Sequence, residues 1–159
     1  MTTSDSRPQF LKAIALSCLI AGTLDISDAL IFYGLRGVPP IRILQGIAVG
    51  VLGRGAFTQG MRSAALGLFF HFLIATTAAT LYILASRRLP LSRHPILWGG
   101  LYGIVVYIVM NYVVVPLSKI GMRPIPPLIP FINAVAALVF CIGIPIALIA
   151  RRYIPYKNS

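Results

Sequence analysis

Residues 63–86 read SAALGLFFHFLIATTAATLYILAS, a run without a single Asp, Glu, Lys or Arg. At about 1.5 Å per residue, a helix of this length exceeds the roughly 30 Å hydrocarbon core of a bilayer. Residues 63–86 therefore read as a membrane span. Toward the C-terminus, residues 94–118 and 124–150 are equally free of charged side chains. Toward the N-terminus, residues 10–33 read as apolar, with Lys12 near the start and Asp25 and Asp28 interrupting the run. The expected span cores are 11–33, 64–85, 97–117 and 128–149. The fold class is all-α, a four-helix transmembrane bundle forming a single integral membrane domain over residues 1–159.

Composition agrees with this reading. The chain is 58% hydrophobic and only 11% charged, whereas soluble domains carry about a quarter charged residues. The net charge is +11, from 14 Lys+Arg against 3 Asp+Glu. The basic residues stand singly or in pairs beside the apolar runs. That placement fits lipid headgroups rather than the continuous basic stripe of a nucleic-acid binder. The expected partner is the lipid bilayer, with a homo-oligomer as a further option and no nucleic acid. Arg7 and Lys12 before an apolar stretch resemble a signal peptide, but the stretch continues past Asp25 without a small-x-small cleavage region. Cys18 and Cys141 lie inside apolar runs, without metal-ligand spacing, and read as small buried hydrophobes.

Between the first two spans lies a shorter apolar stretch, residues 43–53, bounded by Arg42 and Arg54 and preceded by Pro39 and Pro40. As a helix it would reach only about 16 Å, too short for an ordinary crossing. Segment 41–54 is expected to be a re-entrant or interfacial helix, with a short fifth span as the alternative. Gly46, Gly50 and Gly53 would let it pack closely, as Gly99 and Gly103 would in the third span. Pro145 predicts a kink in the fourth span. Trp98 and Tyr153 suit interface anchors.

Four spans place both termini on one side, together with Arg7, Lys12, Arg87, Arg88, Arg93, Arg151, Arg152 and Lys157. The other side receives Arg36, Arg42, Arg54, Arg62, Lys119 and Arg123. Eight basic residues against six favour cytoplasmic termini under the positive-inside rule.

Ionisable groups inside a bilayer are costly and need an account. Asp25 and Asp28 are three residues apart on one helical face and could share a proton. Measured from the span centres, Asp25, Asp28, His71, Asn111 and Asn133 all fall about 3–9 Å from the midplane on the same side. Alternating helix direction makes that coincidence informative. These five residues are expected to form a buried polar cluster, with Arg54, or else Arg42 or Arg62, as a counter-charge. Nothing specifies a metal or a cofactor, and no nucleotide-binding, zinc-protease or nucleophile-elbow motif is present.

The leading functional expectation is a structural or regulatory membrane component in which the cluster fixes helix register. A second is a small ion-, proton- or solute-handling protein using Asp25, Asp28 and His71. A third is a membrane-embedded enzyme with His71 as base, although no nucleophile is evident. The stretches GTLDISD (22–28), GVPPIRILQ (37–45), GVLG (50–53), FHF (70–72), LYG (101–103) and VMNYVVVPL (109–117) resemble an uncharacterised family of small bacterial inner-membrane proteins with four predicted spans. The resemblance covers residues 13–118. It implies a bacterial inner-membrane location and carries over no catalytic or transport residue.

Overall fold

A computed structural model describes residues 6–154, and among them every regular element is helical. Lys157 lies outside the described residues. Four helices are long and apolar enough to cross a membrane: α1 (Ser6–Gly34), α3 (Gly60–Ser86), α4 (Pro95–Leu117) and α5 (Leu128–Tyr153). A shorter helix, α2 (Pro40–Leu52), stands between α1 and α3. The chain is thus an all-α, multi-pass membrane bundle. The long helices outrun the expected span cores, some by more than a turn. Their backbone N–H and C=O groups need partners until the chain has cleared the hydrocarbon.

Local chemistry sets the limits of α2. Pro40 occupies its first turn, where a missing N–H costs nothing. Gly53, at φ 72°, ends it in the left-handed region, which a Cβ disfavours. Its 13 residues reach about 20 Å, short of a crossing. A 3-10 turn, Gly53–Thr58, returns the chain to α3. Two hydrogen bonds hold the start of α3 here. The buried Gln45 amide donates to the Gly60 carbonyl at 3.0 Å, and Ser63 Oγ donates to the Ala56 carbonyl at 2.6 Å.

Backbone contacts at glycines draw the helices together. A Cβ on Gly67 of α3 would collide with the Leu44 carbonyl of α2. One on Gly22 of α1 would come within 2.8 Å of the Phe72 ring of α3. Between α4 and α5, a Cβ on Gly99 would lie 2.8 Å from the Gly143 carbonyl oxygen, and one on Gly103 would lie 2.5 Å from that of Leu138. Apolar lipid supplies no hydrophobic drive between helices, so close packing at small residues is a principal source of association.

Both spans that contain a late proline relieve it in the same way. A π-helical turn, Met110–Val114, precedes Pro116, and another, Leu138–Gly143, precedes Pro145. Proline lacks an N–H and its ring clashes with the carbonyl four residues earlier. The wider π turn contains that carbonyl in each case (Tyr112 and Cys141), so the expected disturbance at Pro145 takes the form of a π turn.

Packing is uneven along the bundle. Toward the termini, Ala13, Ala21, Ala79, Tyr82, Ile83, Ile142, Ile146 and Ala150 make a closed core. Tyr102 ties α4 into it, donating from Oη to the Ala78 carbonyl at 2.7 Å. The other half, where α2 joins the bundle, has only a small core at Ala48, Val49 and Ala56 and is otherwise hollow.

Candidate functional site

The hollow is a partly open cavity of about 540 Å³ lined by all five helices, within the ~300–1,000 Å³ range of small-molecule sites. Its walls are largely apolar. Asp25 and Tyr33 from α1 and His71 from α3 are the ionisable groups of the spans that reach it. Arg42 from α2 and Arg123 from the α4–α5 connection also line it. That connection is fastened to α2, because the Lys119 backbone N–H donates to the Gly50 carbonyl at 2.9 Å. A turn at Ser118, whose Oγ accepts from the Ile120 N–H, and a left-handed Gly121 (φ 72°) carry Arg123 back over the cavity.

The position of His71 follows from Gly22. Because Gly22 lacks a side chain, α3 approaches α1 closely, and His71 Nε2 comes to 2.8 Å from the Gly22 carbonyl oxygen. A carbonyl only accepts, so Nε2 carries the hydrogen. The other ring nitrogen, Nδ1, faces Asp25 Oδ2 at 3.9 Å. That separation is an ion-pair distance, too long for a hydrogen bond. The side chains are 11% (His71) and 24% (Asp25) exposed, so both are largely shielded while still meeting the cavity. With Nε2–H committed to Gly22, a neutral ring would turn a lone pair toward Asp25. A single proton on either Nδ1 or Oδ2 removes the repulsion, leaving an imidazolium–carboxylate pair or a neutral pair.

Asp28 has a different partner. Asn133 of α5 donates from Nδ2 to Asp28 Oδ2 at 2.8 Å, and neither residue belongs to the cavity lining. The polar residues thus form two units, Asp25–His71 joining α1 to α3 and Asp28–Asn133 joining α1 to α5. Asn111 joins neither unit. It is exposed, and its Nδ2 donates to the Tyr107 carbonyl of its own helix at 3.0 Å, beside the first π turn.

Of the three arginines considered as counter-charges, Arg42 reaches the cavity, with its guanidinium 5.2 Å from the Phe57 ring centroid. Arg54 lines a smaller adjoining hollow with Lys119 and Arg123, and Arg62 is exposed near the start of α3. Among the described residues, the ion-pair partner of Asp25 is His71. Among the described residues, no group of three His, Cys, Asp or Glu side chains converges for a metal.

The glycines named from sequence also divide. Gly99 and Gly103 make backbone contact with α5, whereas Gly50 has only ordinary contact with Ser118 at 3.7 Å. Gly53 ends α2, and a Cβ on Gly46 would meet nothing within 4 Å. Gly22, Gly67 and Gly143 make close contacts as well, although the spacing of small residues marks neither Gly22 nor Gly67. Of these, Gly143 had a visible signal, standing two residues before a proline in an apolar helix. Arg123 was counted only as a loop charge, because its place depends on the loop folding back onto α2.

Neither a family model, nor a curated protein, nor a solved structure matches this chain.

Proposed function

We propose that the chain is a small solute- or proton-handling membrane protein in which the Asp25–His71 pair takes up and releases a proton at the wall of the central cavity. The observation that carries this reading is the commitment of His71 Nε2 to the Gly22 carbonyl, which aims Nδ1 at Asp25 beside an open volume. A purely structural polar pair needs no access to a cavity, and Asp28–Asn133 has none. The structural role therefore falls to Asp28 and Asn133, and the exchangeable proton to Asp25 and His71. The resemblance noted above supports a bacterial inner membrane, and the terminal excess of basic residues supports cytoplasmic termini.

The test is reconstitution in liposomes with a pH-sensitive dye inside. Wild-type protein is expected to dissipate an imposed pH gradient faster than empty vesicles. Asp25→Asn and His71→Gln are expected to return the rate to the empty-vesicle level while keeping normal abundance and a monodisperse elution profile. Wild-type flux equal to that of empty vesicles, or unchanged flux in both variants, would overturn the proton-handling reading.

A further inference from the structure

We propose that the mouth of the cavity binds the phosphate headgroup of an anionic phospholipid while one acyl chain enters the cavity itself. The proposal rests on the reading of this cavity as a ligand site and names the class of ligand. The central cavity and the smaller hollow adjoin, with Gly46, Ile120 and Arg123 in the walls of both. Arg42 and Arg123 line the central cavity, and Arg54 and Lys119 join Arg123 around the smaller hollow, four cations in all.

The chain has little with which to neutralise them. Of its three acidic residues, Asp25 faces His71 and Asp28 accepts from Asn133. Asp5 lies outside the described residues. Among those residues, no carboxylate is ion-paired with any of the four. All four lie outside the membrane-spanning helices, Arg42 and Arg54 near the two ends of α2 and Lys119 and Arg123 in the α4–α5 connection. Guanidinium groups match phosphate oxygens in a fork geometry, and an ammonium adds a point charge.

Beneath this rim, Ile26, Ile43, Ile47, Ile74, Val106 and Ile142 line an apolar interior. A soluble anion would satisfy the rim and leave that interior unfilled. A neutral hydrocarbon would do the reverse. An anionic amphiphile satisfies both, and the surrounding bilayer supplies one at high local concentration.

The experiment uses full-length protein in phosphatidylcholine nanodiscs with a trace of phosphatidic acid bearing a diazirine in its acyl chain. After irradiation, labelled residues are mapped by mass spectrometry. Labels are expected on cavity residues such as Ile74 and Ile142. Unlabelled phosphatidic acid should compete, whereas phosphatidylcholine and water-soluble glycerol phosphate should not. The Arg42→Gln/Arg123→Gln double variant should lose the label, and the Arg42→Lys/Arg123→Lys variant should retain most of it. The competition pattern in the wild type decides the matter even where the Gln pair does not fold.

Equal competition by phosphatidylcholine would overturn the headgroup assignment while leaving the cavity as a lipid site. Effective competition by glycerol phosphate would overturn the lipid in favour of a soluble phosphate. Labels confined to exposed residues such as Leu81 and Leu101 would overturn cavity entry, while the proton-flux assay would still report independently on Asp25 and His71.

Discussion

Asp25 and Asp28 stand three positions apart on α1, yet one meets a histidine of α3 and the other an asparagine of α5. Their directions differ by about 60° around the axis, which is enough to reach different neighbours. Sequence depth placed both carboxylates beside His71 and Asn133, because residue counting from span centres needs only the helix rise. It left their pairing open, since that depends on helix rotation and on the approach allowed at Gly22. Asn111 shows the same gap. Its depth matched, but its amide goes to a backbone carbonyl beside a π turn that no side-chain pattern announces.

Two stability predictions follow at this scale. Asp28→Ala removes the acceptor of the Asn133 amide and is expected to cost about 0.6–2 kcal/mol, whereas Asp28→Asn keeps an acceptor and should cost less. Denaturant unfolding in mixed micelles measures the difference, and equal effects would count against the hydrogen bond. The second contrast involves the two tyrosines that meet edge-on, their ring centroids 5.0 Å apart. Tyr102 donates to the Ala78 carbonyl, while the buried Tyr82 hydroxyl has no hydrogen-bond partner among the described residues. A buried hydroxyl without a partner is unfavourable. Tyr82→Phe is therefore expected to leave stability unchanged or raise it by about 1 kcal/mol, and Tyr102→Phe to lower it by about 1 kcal/mol. The same unfolding measurement, reversed in order between the two variants, would contradict this assignment.

Among the elements, the contact between α4 and α5 depends most directly on residue size. Gly99→Ala and Gly103→Ala drive a methyl group into the facing backbone of α5. Each is expected to destabilise by about 1–3 kcal/mol, the usual range for overpacking. Gly46→Ala is the internal control, since a Cβ there meets nothing and the helix gains about 0.5–1 kcal/mol in propensity. Thermal unfolding in detergent should separate these outcomes. A neutral Gly103→Ala would show that α4 and α5 lie farther apart than described. The seam was half legible. Gly99 and Gly103 advertise themselves by their spacing, but the partner backbone near Gly143 depends on the π turn before Pro145. The short helix α2 was visible as an element because its apolar run is too short to cross. The Gly67 contact that seats it was hidden within an otherwise uniform span.

For the whole molecule, the four spans were legible because uninterrupted apolar length is itself the physical requirement for crossing a bilayer. Orientation rests on a narrow difference in basic residues. Four of the six on the side away from the termini line the two hollows. If those residues are retained for a ligand, their count weakens the topological signal without reversing it. Reporter fusions test this: one after Thr58 should be active outside the cytoplasm, and one after Arg88 should be active only inside. The opposite pattern would invert the bundle and place the cavity mouth on the cytoplasmic face.

The uneven packing also has a mechanical consequence. A bundle that is solid at one end and hollow at the other concentrates its compressible volume in one half. Hydrostatic pressure favours states that eliminate internal voids, so compression should act first on α2 and the ends of the spans that surround it. The half packed around Tyr82 and Tyr102 would hold its shape to higher pressure. A molecule seated in the cavity would remove that difference, making pressure sensitivity a direct measure of whether the hollow is filled.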